Sequence, residues 1–168
     1  MNRLLRILKH RWLDETDTRR ALDHAAVERL RARVRDSERR HSGEIRVCVE
    51  AGLPIGYLWR GLKARDRAIT MFGKLRVWDT ARNNGVLIYL LLAEHAIEIV
   101  ADRGLNDQVS AEQWREIADG MRAAFRARRY EEGLNAAIDA VDALLARHFA
   151  LTAGEANANE LPDTPHLR

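Results

Sequence analysis

The chain has 168 residues, a formal net charge of +3, 46% hydrophobic and 32% charged residues, which fits one soluble globular domain with terminal extensions. A single cysteine, Cys48, excludes an internal disulfide framework and suits a reducing compartment, and no run approaches the ~18 apolar residues that a membrane span requires. The cations are 25 Arg against 3 Lys, a bias that genome composition produces as readily as chemistry, so the basic pI carries no nucleic-acid inference.

The first residues, MNRLLRILKHRWL, place Leu4, Leu5, Leu8 and Trp12 at helical spacing with Arg3, Arg6, Lys9 and Arg11 between them. Two readings stay open for this arm, residues 1–16. One is a basic amphipathic helix that makes a peripheral membrane contact through residues 1–13. The other is a helix packed on its own domain or on a neighbouring subunit, toward which the shortness of the stripe weighs. The basic residues interrupt the apolar run too often for a signal-peptide core, and no small-residue cleavage site follows.

Asp14 to Thr18 supplies capping residues for a helix to about Arg40, with Leu22, Ala26, Leu30 and Val34 as its buried stripe. Gly43 ends that region, and Glu44 to Ala51 is a strand. A loop with Pro54 leads to a helical pattern from about Tyr57 to Leu75. Asn83-Asn84-Gly85 are turn residues that tolerate positive φ, and they open the unbroken apolar run Val86 to Leu92. A strand apolar on both faces needs cover on both, so it is central to a sandwiched sheet. Ala93-Glu94-His95 reverses the chain into a third strand, Ala96 to Ala101, closed by Asp102-Arg103-Gly104. Helices follow from about Ser110, where Ser110 and Gln113 form a capping box, and from Tyr130 to Phe149. Residues 151–168 read as an extended polar tail. The expected architecture is α/β: a three-layer α/β/α sandwich with a small mixed sheet, the domain spanning residues 17–150.

Chemistry gathers at two places. On the first strand Ile45, Val47 and Val49 face one way and Glu44, Arg46, Cys48 and Glu50 the other. The alternation predicts a half-exposed charge ladder, with Arg46 meeting Glu98 across the sheet, or an acidic binding face of Glu44, Arg46, Glu50, Glu98 and Arg103, its cleft walled by Glu50 and Asp102. The second place is the strand end where Asp79, Asn83 and Asn84 approach Asp102. Carboxylates with amide and backbone oxygens suit a hard cation, Ca²⁺ or Mg²⁺, rather than zinc. The alternative is turn chemistry: Asn83-Asn84-Gly85 shapes a loop and Asp102 caps the next segment. His41 stands at the helix-to-strand corner as an accessory candidate. Cys48, mid-strand, lacks the loop of backbone donors a thiol nucleophile needs.

The segments His41-Ser42-Gly43-Glu44-Ile45-Arg46-Val47, Trp78-Asp79-Thr80, Asn84-Gly85-Val86-Leu87-Ile88-Tyr89, Ile99-Val100-Ala101-Asp102-Arg103-Gly104, Trp114 and Asn159-Glu160-Leu161-Pro162-Asp163 resemble the TPM domain family, in its soluble bacterial branch. The likeness is collinear from about residue 20 to the end. It implies the same sandwich, a cytoplasmic location, and the often-used label "phosphatase" for members of very different roles. One departure is visible: where the exported branch carries a glutamate and then an aspartate after the glycine-leucine pair, this chain has Asn106 and Ala111, with Asp107 as the compensating acid. The resemblance implies an accessory binding module for a membrane-associated assembly, with membrane-anchored TPM or LemA-type proteins as partners and a divalent cation at the strand ends. The second expectation is a metal-assisted phosphomonoester hydrolase. Nucleic acid is not an expected partner, because cations are interleaved with acids rather than gathered in a stripe.

Overall fold

A computed structural model describes residues 3–105 and 108–168; Asn106 and Asp107, and with them the compensating acid, lie outside the described residues. Its centre is β2, Gly85–Leu91, buried at every position. β1, Glu44–Glu50, lies parallel on one side, in the register Glu44↔Gly85 to Glu50↔Leu91. β3, Ala96–Ala101, lies antiparallel on the other, with Val86 opposite Ala101 and Leu91 opposite Ala96. The two-sided apolar pattern of β2 is thereby met. Val86, Ile88 and Leu90 join the larger core with Ile45, Val47 and Val49, while Leu87, Tyr89 and Leu91 join the second with Cys48 and Val100.

Helices cover both faces. On the larger core lie α2 (Glu15–Ala21), α3 (His24–Ser37), α6 (Ala111–Arg126) and α7 (Tyr130–His148). Leu134, Ile138, Val141 and Leu145 of α7 are each 0% exposed, and every such side chain contributes about 1.5–3 kcal/mol through its transfer from water. The opposite face is covered by α4 (Ile55–Trp59) and α5 (Ala64–Lys74), while α1 (Arg3–Arg11) packs against α4. The expected mixed sheet between helical layers is present.

Two helices that read as continuous are broken. The helix expected from Asp14 to Arg40 stops at Leu22, whose backbone is extended, and restarts because Asp23 caps it through Oδ1, 2.7 Å from Ala26 N. The pattern from Tyr57 to Leu75 breaks at Gly61, which takes φ +70. The capping box at Ser110 and Gln113 is present in both directions.

The tail is extended, yet it is part of the sheet. His166–Leu167 forms β4, parallel to β1, with Cys48↔His166 and Val49↔Leu167, giving the order β3-β2-β1-β4. Arg168 locks the pairing: its N–H donates to Val49 O at 2.9 Å and its carbonyl accepts from Ala51 N at 2.7 Å. A Cβ on Gly85 would lie 2.0 Å from Val77 O, so only glycine lets the Val77 segment cross this close to β2.

Candidate functional site

Because β3 runs against β1 and β2, its carboxyl end meets their amino ends. Asp102 N donates to Gly85 O and Gly104 N to Asn83 O, both at 2.9 Å. Five buried side-chain atoms of the described residues lack a hydrogen-bond partner: His41 Nε2, Glu44 Oε1, Asn84 Oδ1, Asp102 Oδ2 and Asp142 Oδ1. All belong to residues at or next to this end of the sheet, and two of them, His41 Nε2 and Asp142 Oδ1, face each other at 3.4 Å.

The four candidate cation ligands do not converge. Asp79 is exposed and paired with Arg76 Nη2 at 2.5 Å. Asn83, at φ +52, uses Oδ1 to accept from the Arg103 guanidinium at 3.0 and 3.2 Å. Asn84 is wholly buried and donates through Nδ2 to Ser42 Oγ, toward the α7 side. Asp102 sits opposite Gly85, and the pleat turns it to the other face, with Oδ1 taken by Arg103 N at 2.7 Å. Among the described residues no three His, Cys, Asp or Glu side chains stand close enough to share a metal ion. As placed, these residues do not fit a common cation, and one free carboxylate oxygen, Asp102 Oδ2, remains on its face.

The polar face of β1 differs more from expectation. All seven residues are buried, so it is no half-exposed ladder. Nor does Arg46 meet Glu98: Arg46 aligns with Leu87, which aligns with Val100, and its Nη1 donates to Pro162 O and Thr164 O of the tail. Glu98 lies 3.6 Å from Arg65 instead, and burial raises its carboxyl above the ordinary range. Glu44 receives Leu161 N on Oε2 at 3.1 Å, and burial pushes its pKa up as well. Glu50, 1% exposed, is clasped by Arg67 Nε and Nη2 at 2.7 and 2.6 Å and accepts the Tyr89 hydroxyl at 2.8 Å. The ladder is an internal polar layer closed by α5 and the tail.

His41 is also interior. Nδ1 lies 3.0 Å from Gly43 O and Nε2 lies 3.4 Å from Asp142 Oδ1, which shares its carboxylate with Arg40. Burial, with Arg40 adding repulsion, holds its pKa down at about 4, so the ring is neutral at physiological pH. Glu38, 4% exposed, is interior too: its Oε1 accepts from Ile45 N at 2.8 Å, and burial lifts its pKa to about 8. Sequence reading missed Glu38, Arg67 and Asp142. Two carried a signal: Arg67 lies within the Ala64, Ala68, Met71 stripe and Asp142 within the Ile138, Val141, Leu145 stripe, so each is a charge on an apolar face. The Cys48 thiol, 0% exposed, is pushed up to about 12 by burial and stays protonated.

On the outer surface, α1 exposes large apolar side chains. Its apolar stripe does not pack on the domain: Leu4, Leu5, Leu8 and Trp12 are 64, 59, 55 and 85% exposed. Its opposite side is the anchored one, with Ile7 packed against the second core and polar contacts beside it. Arg6 Nε donates to Glu94 Oε1 at 2.7 Å, His10 Nε2 meets the same oxygen at 3.0 Å, and Leu53 N donates to His10 Nδ1 at 2.9 Å. Beside it on α4, Ile55 and Trp59 are half exposed, with the Arg3 guanidinium 5.2 Å from the Trp59 ring. Among the described residues no helix is long and apolar enough to cross a membrane.

Similarity to solved structures agrees with this architecture. The NMR structure of BA42 protein from the psychrophilic bacterium Bizionia argentinensis is 29% identical, with a TM-score of 0.74 over 86% of this chain and 94% of that one. The N-terminal domain of a protein from P. gingivalis shares the fold at 21% identity, with a TM-score of 0.63 over 78% of this chain and 82% of that one. No curated protein matches. The family model of the TPM domain matches residues 16–144, which takes in α2 through most of α7, and the chain belongs to the TPM domain family.

Proposed function

We propose that this protein is a cytoplasmic accessory module that binds a membrane-associated assembly through the α1 face. One observation carries the reading: a helix held to the domain by Arg6, Ile7 and His10 turns a second apolar stripe outward, and exposed apolar patches of this kind mark interaction sites. The buried, neutral His41 and the buried, protonated Cys48 favour binding over nucleophilic chemistry. Membrane-anchored TPM or LemA-type proteins are the partners this reading names. The test is capture of the purified chain by such a protein in detergent, with Leu8→Glu and Trp12→Glu as controls. Saturable binding that both substitutions abolish supports the module; binding that neither changes refutes it.

The second reading, a metal-assisted phosphomonoester hydrolase, is favoured by one feature, the buried and unpartnered Oδ2 of Asp102. Calorimetric titration of Ca²⁺ or Mg²⁺, repeated with Asp102→Asn, tests it. Saturable binding and metal-dependent phosphate-ester turnover, both lost in the variant, would support it. No heat at millimolar metal would leave Asp102 as turn chemistry.

A further inference from the structure

We infer that what α1 meets directly is lipid: the helix lies flat on an anionic phospholipid surface, its apolar stripe in the headgroup–acyl boundary and its flanking cations on lipid phosphates. The inference rests on the reading of α1 as the docking face and specifies the surface it docks to.

The geometry of the helix comes first. At about 100° per residue, Leu4, Leu8, Trp12 and Leu5 fall within an arc of about 100°, and His10 lies nearly opposite its centre. His10 is 3% exposed and fixed by two partners, Leu53 N on Nδ1 and Glu94 Oε1 near Nε2. Arg6 adds a second grip, with Nε on Glu94 and Nη2 on Leu62 O at 2.8 Å. Together they set the rotation of the helix about its axis. The stripe is therefore held outward, parallel to the molecular surface, before any partner arrives.

Charge selects the partner. Lys9 and Arg11 flank the stripe on either side, and neither pairs with a carboxylate of the described residues. The acid nearest the helix, Glu94, is consumed on the inner side by Arg6 and His10. Behind the stripe a cleft of about 870 Å³ opens between α1 and the start of α7, lined by Leu8, Trp12, Leu92 and Tyr130, with Lys9 and Arg128 among its cations. Asp17 also lines it, 3.7 Å from Arg20. An apolar cleft with cations beside it suits an amphipathic anion. A convex helix with a terminal tryptophan suits a planar interface, where the indole ring sits at headgroup depth. Anionic phospholipid supplies both features at once.

The test is sedimentation of the purified full chain with phosphatidylcholine vesicles, and with vesicles that also contain phosphatidylglycerol, at low and at physiological salt. The expected result is binding to the anionic vesicles only, weakened by salt, and lost in Leu8→Glu. Lys9→Gln and Arg11→Gln should each weaken it about fivefold. All three positions are on the outer surface, so unchanged melting curves confirm that the variants fold. No sedimentation with either vesicle, equal sedimentation with both, or insensitivity to the charge substitutions would overturn the inference. In each of those cases, capture by a membrane-anchored protein that Leu8→Glu abolishes would leave the module reading standing with a protein surface as its target.

Discussion

Arg67→Met should be among the most damaging single substitutions that touch no apolar core residue. Arg67 and Glu50 are 2% and 1% exposed, and the guanidinium makes two hydrogen bonds of 2.7 and 2.6 Å to the carboxylate. Removing one partner of a buried pair strands the other, at a cost of about 3–5 kcal/mol. The Tyr89 hydroxyl, 2.8 Å from Glu50 Oε2, remains as a charge-assisted donor and keeps the loss near the lower end, about 3 kcal/mol. Methionine retains the length of the apolar stem, so the change isolates the charge. Adding Glu50→Gln removes the stranded anion and leaves an oxygen for Tyr89, so the double variant should recover most of the loss. Urea unfolding at neutral pH, with the slope checked for constancy, reads both. A loss under about 1 kcal/mol for Arg67→Met, or a double variant no better than the single, would refute the account of this pair.

Glu38 predicts a stability that falls on the alkaline side. Its folded pKa, about 8, lies above the ordinary 4.5, so its stabilising contribution is fully present below 4.5 and is lost as pH rises through 8, because the unfolded carboxyl ionises first. The span corresponds to about 5 kcal/mol at most, and Glu38→Gln should flatten the urea midpoint between those limits. His41 predicts the reverse on the acid side: its folded pKa, about 4 against 6.5, means stability present above 6.5 and lost as pH falls through 4. His41→Gln should remove about 3 kcal/mol of that acid-side slope in the same titration, whatever it does to stability at neutral pH. Gly85→Ala forces a methyl against Val77 O and should cost about 1–3 kcal/mol, a melting shift of several degrees, without changing the strand register seen by NMR.

The fold was legible where one local rule decided the outcome. β2 announced itself by an apolar run bounded by Asn83-Asn84-Gly85, and α6 by a capping box, because neither needed distant information. The breaks at Asp23 and Gly61 were less legible: a capping aspartate and a glycine are each tolerated inside a periodic pattern, and only tertiary packing decided that the chain turned there. The hairpin does bring Asn84 and Asp102 to one end of the sheet, but the pleat separates their faces, and register is a pairing property that spacing alone does not fix. The polar side of β1 misled for a physical reason. Alternation reports which residues differ, not what covers them, and the cover comes from Arg67 of α5 and from Leu161 to Arg168, the latter more than a hundred residues later in the chain.

Glu44, Arg46 and Glu50 look like a binding surface, yet each has already found a partner within the chain: Leu161 N, the Pro162 and Thr164 carbonyls, and Arg67. A ligand there would have to displace the tail and break charge-assisted hydrogen bonds, which in a buried layer are the expensive ones. On α1 the balance is opposite. Its inward polar groups, Arg6 and His10, are satisfied by Glu94, Leu53 and Leu62, Ile7 packs on the second core, and the stripe of Leu4, Leu5, Leu8 and Trp12 faces solvent, so burying the stripe gains hydrophobic free energy without breaking any of those anchoring contacts. A surface whose anchoring contacts are complete and whose apolar stripe is exposed can bind without rearrangement, and this is what favours α1 over the sheet in the proposed reading.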